Sequence, residues 1–352
     1  MSAKMLLYTI NKETLQKSPF VDIEGVTILN FRQIVEHEDR PGQALIHFKA
    51  PNIKAYPLRI NTKQHIQEHG ISQVNCMRML EKFVIEKDIY NTNNSNGNGD
   101  KRLKVITRRH VLMRILTAPF FVSEMPIIVI RHKHIIYMSL VKRICPTSAL
   151  GKMHHEFADY CETNFAATNP SDEVQDNHKG FFIYGAKFGN LDLLYSAEAS
   201  AVMSDEEVEH VTNIVELNSC CFISVNIMTE RKFAYWMKTT TVFKWWCKAY
   251  LSNIEKIFIG FRNDHGVINQ PGLLKDITDL EKEQRRRIHI SKAFLNKFLN
   301  LVADTTENYD SPDTIIKYSF DKQGNIECSV HSTDEFSMFS ADFTAYMREQ
   351  AN

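Results

Sequence analysis

The 352-residue sequence has no excess of either charge, no paired-cysteine motif and no long uninterrupted apolar run. Its 42 basic residues equal its 42 acidic residues, so net charge gives no signal for nucleic-acid binding, although it is compatible with a local basic groove. The composition is 43% hydrophobic and 24% charged, which is typical of a globular protein with enough length for a large core.

No two cysteines have the CxxC spacing of a redox or zinc motif, and their total of seven is odd. Several lie inside apolar segments, where a free thiol packs as a small hydrophobic group. This usage indicates reduced, buried thiols in an intracellular protein and argues against a disulfide framework. The seven are Cys76, Cys145, Cys161, Cys220, Cys221, Cys247 and Cys328.

Signals for export, membrane insertion and nucleotide hydrolysis are also missing. The N-terminal segment MSAKMLLYTINKETL has no apolar stretch long enough for a signal peptide. The most apolar segment, residues 121–141, is interrupted by Glu124 and by the charged or polar residues 131–134, so we expect no membrane contact. Neither GxxxxGK nor GxGxxG occurs, which argues against a P-loop enzyme. A location in cytosol or nucleus is expected.

Asparagine, glycine and serine dominate residues 91–100 (NTNNSNGNGD), and a second polar segment covers residues 168–180. Such segments have too little apolar surface to order themselves. We find no internal repeat, and we expect both segments to be flexible loops within one domain, residues 1–352.

The rest of the chain contains strand-length segments rich in β-branched and aromatic residues, and longer amphipathic segments. This pattern predicts an α+β fold, with a mixed or antiparallel sheet core flanked by helices. Helices are expected at residues 72–86, with Ser72 as N-cap, and at 107–120, 231–254 and 279–305. Strands are expected at residues 26–31, 44–48, 126–140, 181–189, 191–202 and 213–228, and hairpins at 256–270 and 314–331.

Two carboxylates interrupt segments that look like core strands, Glu198 in LLYSAEASAV and Glu216 in NIVELNSCCF. A buried carboxylate is costly unless it meets a cation, a metal or hydrogen-bond donors. Because side chains alternate along a strand, Glu198 shares a face with Ser200, and Glu216 with Asn218. We expect these strands to be neighbours that form one patch, capped by Lys248 from a helix.

An ordered series of motifs, within roughly residues 100–270, resembles the DXO-type decapping exoribonuclease family. The family's KFE stands here as KFG, its GE(V/I)D as AEAS, its ELK as ELN and its WWxQ as WWCK, while GFRN is unchanged. The segment TRRHVLMRILTAPF resembles the family's arginine-bearing helix. The matching positions are Gly189, Glu198, Ser200, Glu216, Asn218, Lys248 and Arg109.

The resemblance implies a DXO-like decapping-nuclease fold, removal of incomplete or non-canonical caps from RNA 5′ ends, and metal-dependent degradation of that RNA. Gly189 and Ser200 replace two acids, and an Mg²⁺ ion would then have too few anionic oxygens. We therefore expect a pseudoenzyme with no intact catalytic residue and no metal cofactor. Lys248 is expected to place its ammonium between Glu198 and Glu216 as a buried ion pair.

Three cations are candidates for RNA contacts. Arg109 takes the family's phosphate-contacting position, and Lys187 and Lys248 are expected to line the same cleft. In its loss of acids, the sequence further resembles a catalytically degenerate branch of the family from the fly germline. That resemblance implies a nuclear protein in piRNA-source transcription and transposon silencing, which shields RNA 5′ ends and has Rhino and Deadlock as protein partners.

Two other functions stay open on the sequence. An active metal-dependent decapping enzyme would need acids where Gly189 and Ser200 stand. A pure protein-interaction module would instead have a closed RNA groove.

Several other motifs have ordinary interpretations. Trp245 and Trp246 are expected in the core, and the run of arginines at residues 285–287 on a solvated helix face. The histidines of MHHEF and of residues 132–134 lack the spacing or the carboxylate partners of a metal site.

Overall fold

The computed structural model describes residues 4–35, 38–42, 45–48, 56–59, 73–90, 102–121, 126–141, 166–167, 179–204, 206, 208, 211–333, 335–336 and 338–350. Within these residues the chain forms two β-sheets with helices packed on their faces. The predicted α+β fold with a mixed sheet is confirmed.

Eighteen strands are described, and most carry the β-branched and aromatic residues that favour extended backbone. In chain order they are β1 (Met5–Thr9), β2 (Ile23–Val35), β3 (Glu38–Pro41), β4 (His47–Phe48), β5 (Leu58–Arg59), β6 (Leu103–Arg108), β7 (Ile127–His132), β8 (Ile135–Leu140), β9 (Ala166–Ala167), β10 (Lys179–Phe188), β11 (Leu191–Glu198), β12 (Ala201–Val202), β13 (Phe222–Thr229), β14 (Ile254–Arg262), β15 (Val267–Ile268), β16 (Leu273–Asp276), β17 (Thr314–Phe320) and β18 (Asn325–Ser332).

The described α-helices are α1 (Lys12–Gln16), α2 (Gln73–Glu86), α3 (Arg109–Thr117), α4 (Ile214–Ser219), α5 (Thr240–Tyr250), α6 (Ile277–Thr306) and α7 (Ala341–Glu349). Two 3₁₀ segments, Glu230–Lys238 and Glu307–Tyr309, precede α5 and follow α6. In this part of the chain no helix combines the length and the apolar character that crossing a bilayer requires.

Ten strands form the first sheet, in the order β1-β18-β17-β7-β8-β6-β11-β10-β2-β3. Strand β6 is parallel to both of its neighbours, and the other pairs are antiparallel. Helices α3, α5 and α6 contribute to the apolar cluster on one face, and α2 and α7 contribute to the cluster on the other. The first sheet is therefore covered on both faces.

The second sheet runs β5-β15-β14-β13-β12-β4-β9, with β16 paired to β14. Strands β13 and β14 are parallel, so the chain between them must cross over, and it does so through the 3₁₀ segment and α5. Phe222 and Met228 of β13 join the main core, while Ile223 and Val225 face a smaller cluster on the other side. Helix α5 therefore lies on the side of β13 that faces the main core.

Most predicted elements are confirmed, including α2, α3, α6 and the hairpins β14–β15 and β17–β18. Residues 126–140 form the hairpin β7–β8, turning at Lys133, whose φ is +56°. The loop predicted at 91–100 lies outside the described residues, as do Ser72 and residues 168–178. Residues 179–180 belong to β10 instead of a loop.

Three predicted elements are wrong in part. The segment expected as one strand at 191–202 forms two strands, β11 and β12, which belong to different sheets. The strand expected at 213–228 begins as helix α4, because the Asn213 side chain accepts hydrogen bonds from the backbone N–H groups of Val215 and Glu216 and so caps a helix. The helix expected at 231–254 is divided at Thr239, whose hydroxyl caps α5 by accepting from Val242 N–H. The residues before it form 3₁₀ turns.

Candidate functional site

The candidate site lies where the chain passes from the first sheet to the second. Strand β11 ends at Glu198, and after two residues the chain enters β12 in the second sheet. The backbone N–H of Ala199 donates to the Gly180 carbonyl at 2.8 Å, and Ala201 then pairs with Ile223 of β13. The segment AEAS therefore spans the junction between the two sheets.

Strand β13 contributes Ser224 and Asn226 beside this junction. Because side chains alternate along a strand, both residues lie on the face that carries Phe222 and Met228 toward the main core. The Asn226 side-chain amide donates to the Ser224 hydroxyl oxygen at 3.1 Å. The two residues form a hydrogen-bonded pair next to Ser200.

Lys248 reaches the same place from α5. The apolar side of this helix is buried, with Trp246 and Phe243 fully inside the core and the Trp246 indole donating to Glu281 at 3.0 Å. Lys248 lies on the less buried side of the helix. The expectation that Trp246 is a core residue is confirmed.

These elements enclose a small pocket of about 50 Å³. Glu198 is exposed at the end of β11, Lys248 is half-buried, and Ser200 and Ser224 are buried, 8% and 4% exposed. The residues that line the pocket are therefore one acid, one lysine and two serines among apolar residues. The polar members are Glu198, Ser200, Ser224 and Lys248, and the apolar ones include Ile46, Ile223 and Val225.

Arg109, at the start of α3, lies behind the pocket. Its guanidinium is buried, donates to the Ser252 hydroxyl at 2.7 Å and lies 3.5 Å from the Glu198 carbonyl oxygen. Tyr184 also donates to the Ser252 carbonyl, at 3.3 Å. Arg109 thus ties the turn after α5 to the end of β11, and it does not line the pocket.

A basic cluster surrounds His110 on the next position of α3. Dense packing around the ring, and then the charges of Arg108, Arg114 and Arg109, lower the pKa of His110 to about 4, while Glu198 acts in the opposite direction. The imidazole keeps part of its surface in solvent. His110 is therefore neutral at physiological pH, and the arginines supply the positive charge beside Glu198.

The family model for RAI1-like PD-(D/E)XK nucleases matches residues 61–344. The chain belongs to this family.

A curated relative is the Decapping and exoribonuclease protein Rai1 of Drosophila melanogaster, 22% identical over 170 residues. That alignment covers 47% of this chain and 45% of the relative, so the matched region spans less than half of the relative's length.

Solved structures of fungal relatives share the fold over nearly the whole chain. Candida albicans Rai1 in complex with pU5-Mn²⁺ has a TM-score of 0.73 at 12% identity and covers 99% of this chain and 100% of its own. Scheffersomyces stipitis Rai1 with (3′-NADP)⁺ and calcium has a TM-score of 0.74 at 12% identity, covering 99% and 98%. S. pombe Rai1 has a TM-score of 0.69 at 14% identity, covering 94% and 100%.

The structure separates Gly189 and Lys187 from the pocket. Gly189 lies in the two-residue turn between β10 and β11, where its φ of +58° favours glycine. Lys187 pairs with Asp192 in that hairpin, whereas Glu198 pairs with Phe181 at its other end. Seven residues of extended strand span about 20 Å, so neither Gly189 nor Lys187 contributes to the site around Glu198.

Glu216 and Asn218 both lie on α4, and neither is among the described residues that line the pocket. Glu216 is in the first turn of this helix, and its side chain does not line the pocket. Asn218 binds the backbone of β2, accepting from Ile28 N–H at 2.7 Å and donating to the Ile28 carbonyl at 2.9 Å. The prediction that Glu198 and Glu216 lie on neighbouring strands is therefore wrong, because Glu216 lies on a helix. The expected ion pair of Lys248 with these glutamates stays a prediction.

Sequence reasoning missed Ser224 and Asn226. Ser224 lines the pocket from β13, and its hydroxyl accepts a hydrogen bond from the Asn226 side-chain amide at 3.1 Å. The signal that could have found them is the β-branched segment FISVNIMT, which is a better strand than the ELN segment before it. Of the predicted site residues, Glu198, Ser200 and Lys248 do meet at one pocket.

The residues present do not fit a divalent metal of the kind bound in the fungal relative. A hard cation such as Mg²⁺ prefers several anionic oxygens, and Glu198 is the one carboxylate in the described lining of the pocket. Lys248 adds a positive charge to that lining. Among the described residues, no group of three or more histidine, cysteine, aspartate or glutamate side chains could hold a metal.

Proposed function

We propose that this chain binds RNA 5′ ends without cleaving them, as a catalytically inactive member of its family. The observation that carries the proposal is the lining of the pocket, where Ser200 and Ser224 lie beside Lys248 and where Glu198 is the one acid among the described residues. With one carboxylate in that lining, the pocket has too few anionic oxygens to bind a catalytic metal ion. The relative bound to pU5 supports RNA as the ligand of this fold.

We further propose a nuclear role, in the manner of Cutoff, the catalytically degenerate fly germline member of the family. In this role the chain shields nascent transcripts in piRNA-source transcription and scaffolds a complex with Rhino and Deadlock. The support is the resemblance of the degenerate motifs. Co-purification of the tagged chain with each partner from germline nuclei tests this part separately, and absence of both partners contradicts it.

The catalytic part is tested with purified protein, Mg²⁺ or Mn²⁺, and RNAs bearing a 5′-monophosphate or an unmethylated cap. The expected result is no shortening and no cap release under conditions where Drosophila melanogaster Rai1, as the positive control, is active. Turnover that is lost in Glu198→Ala would show a working nuclease and overturn the proposal.

A pure protein-interaction module is the second candidate. The observation in its favour is that the pocket measures only about 50 Å³ and that neither Arg109 nor Lys187 lines it. Binding of single-stranded RNA in the presence of a chelator, at two salt concentrations, separates the candidates. RNA held by phosphate contacts dissociates as salt rises. No RNA binding by a chain that still binds its protein partners favours the interaction module.

A further inference from the structure

We infer that the 3₁₀ segment Glu230–Lys238, together with Arg287 of α6, is a docking surface for an acidic segment of a protein partner that carries large apolar side chains. The docking surface consists of Arg231, Lys232, Phe233, Tyr235, Lys238 and Arg287. It does not depend on the proposed binding of RNA 5′ ends, because it lies apart from the pocket.

The separation follows from strand β13. Ile223 of this strand lines the pocket and pairs with Ala201, whereas the 3₁₀ segment begins after Thr229. Six residues of extended strand span about 20 Å. A ligand on the docking surface is therefore bound outside the pocket.

Exposed aromatic side chains form the centre of the docking surface. Phe233 and Tyr235 are each 54% exposed, and Ala234 between them is exposed as well. Scattered apolar side chains are ordinary on a protein surface, but adjacent large ones indicate an interaction site. Aromatic residues and arginine are also enriched in protein–protein interfaces.

The segment is ordered by contacts with the rest of the chain. Phe233 packs against Phe261 of β14, with ring centroids 4.9 Å apart, and the buried Trp236 packs against the same ring at 6.3 Å. The Arg287 guanidinium donates to the Lys238 carbonyl at 3.2 Å. A surface that is ordered before binding loses little conformational entropy when a partner docks.

The cations beside the aromatic pair favour an acidic partner. Arg287 donates to two neutral oxygens, the Lys238 carbonyl and the Gln284 side chain, and these contacts do not neutralise its charge. Lys238 is exposed, and Lys232 is half-buried on the same segment. Carboxylates of a partner can pair with these side chains at the rim of an interface, where they orient the partner and speed its association.

Acids beside the docking surface favour a protein over a nucleic acid. Asp264 pairs with Arg231, Glu230 accepts a hydrogen bond from the Asn269 amide at 3.2 Å, and Glu283 of α6 is exposed. Single-stranded nucleic acid is held in grooves of positive charge, because every nucleotide carries a phosphate. A peptide can instead place its acids beside the cations and its apolar residues on the aromatic pair.

The test uses the full chain and three fluorescein-labelled peptides. The first contains phenylalanine and tryptophan between glutamates, the second has alanine in place of both aromatics, and the third has lysine in place of every glutamate. We expect the first peptide to bind at least about tenfold more tightly than either of the others by fluorescence anisotropy. Equal binding of the three, or no binding of the first, overturns the inference.

Tyr235→Ser and Lys238→Glu should each weaken binding of the first peptide about fivefold or more. Both variants keep the packing of Phe233 on Phe261, so they are expected to fold as stably as the wild type, which thermal denaturation checks. Tyr309→Ser is the matched control, since Tyr309 is 39% exposed and lies in the other 3₁₀ segment. Undiminished binding in both Tyr235→Ser and Lys238→Glu contradicts the assigned surface.

Lys238→Glu gives a second readout that loss of structure cannot imitate. Because this substitution replaces a cation by an acid, it should strengthen binding of the lysine peptide relative to the wild type. A decrease in the affinity for both charged peptides would mean that the charge of Lys238 does not select the partner, and it would overturn the acidic character of the ligand.

Single-stranded RNA with a 5′-hydroxyl is the competing ligand. RNA binding that is lost in Tyr235→Ser and Lys238→Glu, with no binding of the first peptide, identifies a nucleic-acid site and overturns the inference. The proposed binding of RNA 5′ ends is measured separately with 5′-monophosphorylated RNA and should be the same in these variants and the wild type. Its absence from the wild type overturns that proposal and leaves the docking surface in place.

Discussion

Arg109 donates a hydrogen bond to the Ser252 hydroxyl at 2.7 Å, across the interface between α3 and the turn that follows α5. Both residues are buried, and the guanidinium also lies 3.5 Å from the Glu198 carbonyl oxygen. One side chain thus fixes the end of β11 relative to the crossover helix that carries Lys248. Arg109 is therefore a positioning residue in this structure, instead of the direct phosphate contact expected from the sequence.

Arg109→Ala should reduce the free energy of unfolding by about 2–3 kcal/mol, because it removes a charge-assisted hydrogen bond and leaves Ser252 without that partner. Ser252→Ala should be similarly harmful, since the buried guanidinium loses its 2.7 Å acceptor and keeps the longer contact to the Glu198 carbonyl oxygen. Urea denaturation of the two single variants and the double variant measures their coupling. Strictly additive effects would contradict the structural pairing.

The sequence predicted the elements with strong periodicity and missed those decided by a single cap. Helix α6 and the hairpin β17–β18 have uninterrupted patterns and were predicted almost to their ends. Asn213 converts part of an expected strand into α4, and nothing in the hydrophobic pattern indicates this. This unpredicted helix changed the expected site most, because the ELN motif lies on it and not on a strand.

The metal-site residues were predicted by matching short motifs, and the matches that depended on three letters failed. Glu198, Ser200 and Lys248 do line one pocket, since Glu198 ends a strand and Lys248 lies on a helix, as their local sequence patterns predicted. Gly189 and Glu216 were misplaced, since the KFG and ELN strings occupy a hairpin turn and a short helix. The pairing of β12 with β13 brings Ser224 close to Ser200. The local sequence pattern of either strand does not predict which strand it pairs with or in which register.

Glu216→Ala and Lys248→Ala compare the site expected from the sequence, which includes Glu216, with the pocket in the structure, which Lys248 lines. Lys248 lines the pocket, so its removal should weaken binding of 5′-monophosphorylated RNA about fivefold to tenfold and reduce the salt dependence. Glu216 lies on α4 and does not line the pocket, so its removal should leave the affinity unchanged. Calorimetry in chelator measures both. A larger effect at Glu216 would contradict the geometry.

The pH dependence of stability can be tested at Glu81 on α2. Burial raises the pKa of Glu81, and this effect outweighs the hydrogen bonds that it accepts from the Ser340 N–H and hydroxyl. Its folded pKa is therefore above its unfolded pKa of 4.5. The stabilisation by the protonated form is fully present below 4.5 and is lost as pH rises through the folded pKa.

Glu81→Gln keeps an acceptor for Ser340 but cannot ionise. The unfolding free energy of the wild type, relative to this variant, should fall as pH increases above 4.5 and then level off. Urea denaturation at a series of pH values measures this difference. Parallel curves for the two proteins would show that Glu81 has an ordinary pKa.

Rebuilding the acids at the pocket should restore metal binding. The variant Ser200→Asp, Ser224→Glu, Asn226→Lys and Lys248→Gln gives the AEAS segment its acid, β13 its E-x-K spacing and α5 a neutral residue. With Glu198 retained, three carboxylates would then converge on the pocket, a set that suits a hard divalent cation. We expect measurable Mn²⁺ affinity by calorimetry. Cleavage is expected to remain weak, because catalysis also requires ligand positions to be fixed within a fraction of an ångström.

The matched control for this restoration is the set chosen from the sequence motifs, Gly189→Glu, Ser200→Asp, Asn218→Lys and Lys248→Gln. It contains the same number of substitutions, but Gly189 lies in a distant hairpin turn with a positive φ and Asn218 binds the backbone of β2. We therefore expect it to be less stable and to bind Mn²⁺ weakly. Manganese affinity in the control that equals or exceeds that of the structure-based set would mean that β13 does not supply the acid position.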